Sequence, residues 1–407
     1  MIDYEPFFSA IGRQVQESAI RRMGTVVAKR TDLVSFAPGY PDASLFPWDD
    51  LRAIADDLLS GHDLSALQYG PTRGHAPLLD TIVQLMRDRD IQLISGDLLI
   101  TTGSQQALDL LARVLVDPGD AVLVELPTFT GGIAAFRNAG AELVGVRQQP
   151  DGIDLDALDD AWRQARAAGR LVKVLYLIPN FQNPTGLLLS RSKRHAIIEW
   201  ATRRDVLIIE DDPYGSLYFD GAATAAETRP LRADAPDGRV IYTSSFSKTL
   251  APGFRVAWVA APAALIDRLE TAKQSVDLTS GILDQRLAHE AVVRGVLERS
   301  APVLRARYRL KRDIMEAAIT REMGDLLTWR SPKGGFFLWA TLPDGVTDTE
   351  LFSRALDEQV VFVVGSAFHV DGGGHDTIRL SYSEPAPERI DEGIRRLGRV
   401  LAPTRAR

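Results

Sequence analysis

The most reactive group this sequence offers is a lysine set among hydroxyl side chains. Lys248 lies in Ser244-Ser245-Phe246-Ser247-Lys248-Thr249-Leu250-Ala251-Pro252-Gly253-Phe254-Arg255, between two stretches of strand character. A solvated lysine needs no such setting, whereas one shielded among polar donors can lose its proton and act as an amine nucleophile. Ser245, Ser247 and Arg255 together suit a phosphate dianion. Lysine is scarce, occurring only at 29, 173, 193, 248, 273, 311 and 333. Seven of the 47 basic residues are therefore lysine and the remaining 40 arginine, so primary-amine chemistry has few candidates.

Four further segments end candidate strands or open candidate helices. In Thr102-Gly103-Ser104-Gln105-Gln106 a strand turns into a helix. The unpaired N–H groups of a helix N-terminus make a phosphate seat and Gly103 permits close approach, although Ser104 would equally serve as an ordinary N-cap. Asn180-Phe181-Gln182-Asn183-Pro184-Thr185-Gly186 reads either as a turn before a helix or as an amide, Asn183, held where it can donate to a ligand oxygen. Glu210-Asp211-Asp212-Pro213-Tyr214 follows the apolar Val206 to Ile209 run. Three acidic residues at a buried strand end need compensation, which a cationic heterocycle nitrogen would supply; a solvated loop cap would show the same pattern. Thr377-Ile378-Arg379-Leu380-Ser381 sets an arginine in a β-like run, either at an edge or buried and requiring a carboxylate.

These segments need a scaffold, and the chain from about residue 97 supplies one. Strand-like runs at 98–102, 121–125, 142–146, 172–178, 206–210, 240–243 and 256–260 alternate with helical segments, among them 105–116, 131–139, a helix within 155–168 and 190–203. Strands separated by helices imply an α/β fold with a mostly parallel sheet covered on both faces, whose ligands bind beyond the C-terminal strand ends. After about residue 285, long Arg- and Leu-rich helical stretches lead to short strands at 335–340, 360–363 and 377–380, the texture of a smaller α+β domain. The expected division is an N-terminal arm and lid (1–40) packed on the small domain, a large domain (41–289) and the small domain (290–407).

Composition narrows the rest. The chain has 407 residues, 45% hydrophobic and 25% charged, with a net charge of −7. This excludes whole-chain disorder, and without a basic tract it gives no support for nucleic-acid binding. With no cysteine, disulfides and thiolate chemistry are excluded. His62, His75, His195, His289, His369 and His375 lack metal-ligand spacing, so no metal is expected. No apolar run reaches the length of a membrane span, and the N-terminus lacks the order of a signal peptide. A soluble, cytoplasmic protein that does not bind membranes is the expectation.

In order, Gly-Ser-Gln-Gln, Asn-Pro-Thr-Gly, Asp-Asp-x-Tyr, Ser-Phe-Ser-Lys-Thr-Leu-Ala-Pro-Gly-Phe-Arg and Ile-Arg-Leu-Ser resemble the class I/II aminotransferases of pyridoxal phosphate (PLP) fold type I. The chain is most similar to the 2-aminoadipate/kynurenine branch, over nearly its whole length. The resemblance implies that Lys248 joins the cofactor aldehyde and then moves the substrate Cα proton. Asp211 would pair with the protonated pyridine nitrogen, and Asn183 and Tyr214 would donate to the ring's phenolic oxygen. Ser104, Gln105, Ser245, Ser247 and Arg255 would hold the phosphate, with Tyr69 reaching the phosphate of a neighbouring subunit in a homodimer with shared active sites. Arg379, aided by Asn183, would clamp the substrate α-carboxylate. Gly39 and Tyr40 resemble the lid turn over the substrate. Arg21 matches an arginine that binds a distal carboxylate in relatives, although beside Arg22 it also reads as a solvated helix face. At the ring-stacking position, usually Tyr, this chain has Phe129, which keeps the aromatic face and loses a hydroxyl.

The implied activity is transfer of an amino group from an L-amino acid to a 2-oxo acid, 2-oxoglutarate or pyruvate, in a ping-pong cycle. The alternatives are elimination, decarboxylation or oxidation on the same scaffold, and a non-catalytic ligand-sensing relative.

Overall fold

The structure, a computed structural model, describes residues 1–14 and 32–401, so Arg21 lies outside the described residues. Strand β1 (Val34–Ser35) comes first. The apolar runs that follow form β2 (Leu98–Thr102), β3 (Ala121–Leu126), β4 (Glu142–Gln149), β5 (Gly152–Ile153), β6 (Val172–Leu177), β7 (Leu207–Asp211), β8 (Val240–Ser245) and β9 (Val256–Ala260). They make one sheet in the order β2-β9-β8-β7-β6-β3-β4-β5. The pairs β8–β7, β7–β6, β6–β3 and β3–β4 are parallel, whereas β9 runs antiparallel to both neighbours. Strand β7 extends one residue beyond the expected end, through Asp211, because that residue continues the ladder opposite Thr243.

The strands other than the outlying β4 are buried on both faces, as crossover connections require. On one face Ala107, Leu108 and Leu111 of the helix Ser104–Leu115 pack with Val122, Tyr176 and Ile209. On the other, Leu158, Ile197 and Trp200 of the helices Leu155–Ala167 and Arg191–Arg204 cover Leu123, Leu175 and Ile208.

The C-terminal part adds β10 (Thr328–Trp329), β11 (Phe337–Thr341), β12 (Val360–Val361), β13 (Val363–Val364) and β14 (Thr377–Ser381). An antiparallel sheet runs β10-β11-β14-β13 and a separate pair joins β1 to β12. The single strand expected at 360–363 is thus two. Val360 and Val361 pair with the N-terminal strand, and Val363 and Val364 with β14. The N-terminal residues Val34 and Phe36 share a core with Ile378, Leu380 and Ile394. The cut expected after residue 289 falls inside the helix Ile282–Val293, whose Ala288 and Ala291 pack with Leu98 and Ile100 of the large sheet. The next helix, Val296–Met323, begins in that cluster and ends in the small-sheet core, with Leu304, Tyr308 and Met315. No helix among the described residues is long and apolar enough to cross a membrane.

Phe36 is fully buried, its N–H donates to Val361 O at 2.8 Å and its carbonyl accepts from Ser381 N–H at 2.8 Å. Truncation Phe36→Ala should cost about 3–5 kcal/mol. Urea unfolding should show this as a lower midpoint, and an unchanged midpoint would contradict the docking of this segment.

Candidate active site

The directions of the strands bring the polar segments together. The C-terminal ends of β2, β3, β6, β7 and β8 and the start of β9 lie along one edge of the large sheet. From that edge leave the turns bearing Gly103, Phe129, Asn183, Tyr214 and Lys248.

The lysines differ sharply in their surroundings. Lys173, Lys193, Lys273 and Lys311 each pair with an aspartate, and Lys333 is exposed. Lys248 is half-buried and its Nζ donates to a neutral group, the carbonyl of Gly39, at 2.8 Å. Its cationic neighbours are Arg379 and Arg255. Burial and then these two charges pull its amine down to about 8, against the opposing pull of Asp211.

The three acidic residues of the β7 end alternate across the sheet. Asp212 turns to one side, ion-paired with Arg89 at 2.9 Å and accepting from Asn180 Nδ2 at 2.9 Å and Tyr242 OH at 3.2 Å. Glu210 accepts the N–H groups of Leu231 and Arg232, both at 2.9 Å. Asp211 turns to the other side. Its Oδ2 accepts from Tyr176 OH at 2.9 Å, and its buried Oδ1 has no hydrogen-bond partner among the described residues. Burial pushes this carboxyl up to about 7, as expected of an acid lacking an adjacent cation.

Arg379 occupies the central strand of the small sheet, opposite Trp339 on β11 and Val363 on β13, and is 1% exposed. The edge alternative is therefore overturned. Its Nη1 donates to Asn183 Oδ1 at 2.7 Å and its Nη2 to the carbonyl of Ala37, while Nε is buried without a partner among the described residues. The guanidinium lies 4.2 Å from the Phe337 ring centre and 5.0 Å from that of Phe368. Every partner is neutral, and burial draws it down to about 9. Tyr214 is buried edge-on to Phe336 and Phe337, with ring centres 5.4 and 6.0 Å away, and burial pushes its phenol up.

A third polar group sits where β2 meets its helix. Gly103, with φ +78°, is the N-cap and Ser104 the first helical residue, so Ser104 is not the cap. A Cβ on Gly103 would fall 2.0 Å from Arg255 Nη2. The glycine thus allows a guanidinium to lie over the open helix end, where N–H groups and dipole favour an anion. Arg255 donates only to the carbonyls of Pro252 and Thr102, each at 3.4 Å. Ser245 donates to Ser247 Oγ at 2.7 Å, and both are buried. The Gln105 side chain is committed to Gly131 O at 2.9 Å, which leaves its backbone N–H for a ligand. Asp277 braces the seat from behind, accepting from Thr102 OH and Gln106 Nε2 at 2.7 Å each and pairing with buried Lys273.

Of the other expected residues, Gly39 meets Lys248 through its carbonyl and Phe129 lies on the turn after β3, whereas Tyr69 is 79% and Tyr40 60% exposed. Phe129 is half-buried as the N-cap of the helix Thr130–Asn138. Gly39 lies against Phe337, whose Cζ would be 2.7 Å from an added Cβ. Tyr176, Arg89, Asp277, Phe337 and Phe368 were not foreseen. Only the unusual phenol in the apolar run of β6 offered a signal.

The edge therefore presents a buried carboxylate oxygen without a donor, a buried guanidinium without an anion, a phosphate-type seat and an amine of lowered basicity. These fit PLP, whose ring nitrogen is a cation, whose phosphate is an anion and whose aldehyde takes an amine.

Comparisons with known proteins agree. Residues 38–397 match the family described as aminotransferase class I and II. A 2-aminoadipate transaminase of Thermus thermophilus is 41% identical over 397 residues, covering 98% of this chain and 96% of that protein. Aromatic-amino-acid aminotransferase 1 of Thermococcus litoralis is 38% identical over 401 residues, covering 98% and 95%. The crystal structure of an alpha-aminoadipate aminotransferase from Thermus thermophilus, complexed with N-(5'-phosphopyridoxyl)-L-leucine, superposes with a TM-score of 0.89 at 38% identity, covering 98% of both chains.

Because its Cβ would displace Arg255 from the seat, Gly103→Ala should weaken PLP binding by at least about tenfold, roughly 1.4 kcal/mol. Equilibrium dialysis of PLP against the apoprotein measures this, and unchanged affinity would contradict the seat. The amine of Lys248 gives a second check. A group held at about 8 is neutral above that value and protonated below it. The rate at which the apoprotein captures PLP covalently should rise with pH through about 8 and then level. A rise continuing towards 10 would mean an ordinary lysine.

Proposed function

The chain belongs to the class I and II aminotransferases, and from that premise we propose that Lys248, Asp211, Asn183, Tyr214 and Arg379 form the reaction centre for an L-amino acid and a 2-oxo acid. The enzyme is a PLP-dependent aminotransferase. The observation that carries the residue assignment is the coincidence, at one sheet edge, of a carboxylate oxygen without a donor, a guanidinium without an anion and a lysine held by a neutral carbonyl.

When bound, PLP supplies an aldehyde carbon for an amine and a ring that accepts the electron pair released at the substrate Cα. The protein's own groups do the rest. Tyr176 fixes one oxygen of Asp211, and the other would pair with the ring nitrogen and keep a proton on it. Arg379 exchanges its neutral partners for the α-carboxylate, which it can hold through two parallel N–H bonds. Asn183, anchored through Oδ1 to Arg379, would give its NH2 to the ring oxygen, and Tyr214, packed against Phe336 and Phe337, would donate its OH there. Lys248 Nζ accepts the proton leaving Cα and returns it. A value near 8 keeps both forms of the amine within reach at working pH. Phe337 and Phe368 close the site around the guanidinium and exclude water.

We read the cycle as ping-pong, with 2-oxoglutarate or pyruvate as acceptor. The two relatives above are named for 2-aminoadipate and for aromatic amino acids, which makes these the first donors to try. We also read the active form as a homodimer in which Tyr69 serves the neighbouring site. Tyr69 and its near neighbours in the chain, Leu64 and Leu67, are all exposed, apolar surface of the kind that a partner covers.

Lys248→Ala should lower turnover by about 1000-fold or more and abolish borohydride-stable labelling of the protein by PLP. A labelled or active variant would remove this assignment. Arg379→Lys replaces the planar fork with a point charge and should lower kcat/KM by about 10- to 100-fold, chiefly through KM. A panel of donors with each oxo acid should yield one oxo acid per amino acid consumed. Release of ammonia or carbon dioxide instead would favour elimination or decarboxylation. Sedimentation showing a fully active monomer would refute the shared site.

A further inference from the structure

Gln182, the residue before Asn183, is 1% exposed and touches none of the groups assigned to the reaction, yet its side chain joins the two loops that carry them. Its Nε2 donates to the carbonyl of Pro127 at 2.8 Å, with Glu125 Oε2 at 3.4 Å. Its Oε1 accepts from Thr185 N–H at 2.9 Å and Thr185 OH at 2.7 Å. Its backbone closes the same turn, through Leu187 O at 2.9 Å and Gly186 N–H at 2.6 Å. One amide thus pins the end of β3 to the turn at 182–187. From Pro127 the chain passes to Thr128, whose N–H donates to Phe368 O at 2.9 Å, and then to Phe129. On the other side of the amide stands Asn183, bonded to Arg379.

Glu125 completes the brace. It is 3% exposed, its Oε2 accepts from Ile178 N–H at 2.9 Å, and its other contacts are uncharged. Burial pushes its carboxyl up to about 8, so near neutral pH it carries a proton and adds no charge beside Tyr176, which bonds to Asp211. A glutamate at 182 would lack the donor for Pro127. A leucine would leave the Pro127 carbonyl and Thr185 unmatched in a buried place, where each such loss is costly.

We propose that Gln182, backed by Glu125, is a positioning residue that fixes the spacing of Phe129 and Asn183 across the cofactor site. The inference rests on the reading of those two residues as facing PLP. A purely structural turn would make the same bonds, but its loss would alter stability alone.

The test uses the holoenzyme and its Gln182→Leu, Thr185→Val, Glu125→Gln and Asn183→Ala variants. PLP affinity, the pH midpoint of the visible cofactor band, KM and kcat, and thermal unfolding are measured for each. Gln182→Leu should weaken PLP binding and lower kcat by about tenfold each, and move the spectral midpoint in the same direction as Asn183→Ala. Thr185→Val, which removes the hydroxyl that donates to Gln182 Oε1 and accepts from Leu187 N–H while keeping the backbone donor, should show the same changes more weakly, and it decides the matter if Gln182→Leu does not fold. Glu125→Gln keeps an acceptor and no charge, so it should stay within about twofold of the parent. Wild-type spectrum, affinity and kcat in Gln182→Leu or Thr185→Val, with only the unfolding temperature changed, would overturn the proposal. So would a loss in Glu125→Gln as large as that in Gln182→Leu. A silent Asn183→Ala would overturn the assignment of Asn183 and the proposal with it, whereas a spectral shift there without one in Gln182→Leu overturns the brace alone.

Discussion

Charge withheld from water must be balanced, and the balance at this sheet edge governs the design of the molecule. Asp211 presents a buried oxygen that no side chain satisfies, and Arg379 a buried guanidinium that meets only carbonyl, amide and aromatic groups. Such groups are destabilising in isolation. They persist because the surrounding core over-determines them. Asp211 is fixed by its place in the β7–β8 ladder and by Tyr176, and Arg379 by strands on both sides. The protein holds in advance the electrostatics that a cationic ring and two anionic groups require, which is the preorganisation that makes such sites effective.

The two charges come from different sheets. Asp211 and Lys248 belong to the large parallel layer, Arg379 to the small antiparallel one. What joins them is a short list of polar contacts: Arg379 to Asn183, Arg379 to Ala37 and Lys248 to Gly39. The segment 34–42 is itself stitched to the small sheet, through Val34 and Ser35 on β12, Ser383 OH on Tyr40 O and Lys311 on Asp42. Any shift of the small sheet therefore carries Arg379 and the segment over Lys248 together.

Much of this was legible in the sequence, for a physical reason. β-branched runs between amphipathic helices can hardly avoid building a crossover sheet, and polar residues at the ends of such runs stand out against apolar neighbours. Lys248, Asp211, Asn183 and Arg379 were found that way. What escaped was whatever depends on partners distant in the chain. Tyr176 reads as one more strand residue until Asp211 is seen beside it, Arg89 as a solvated helix end until Asp212 turns towards it, and Phe337 and Phe368 as ordinary core. The valines at 360–364 read as one strand because pattern alone cannot show a chain leaving one sheet for another at Phe362. The reading of Ser104 as the cap failed for a similar reason: serine is the commoner cap, and the approach that Gly103 permits proves to be that of Arg255, a partner distant in the chain.

The alternation of Glu210, Asp211 and Asp212 across β7 constrains more than the chemistry. Strand residues change faces with every step, so deleting a single residue upstream in β7 would swing Asp212 to the side of Tyr176, and inserting one would swing Asp211 to the side of Arg89. Either way a carboxylate would face the wrong neighbour: after a deletion the one paired with Arg89 would lose its cation, and after an insertion the one bonded to Tyr176 would meet a permanent cation. This stretch can therefore drift in side-chain identity among apolar residues while its length stays frozen, and reshaping of the enzyme by insertion must fall in loops elsewhere.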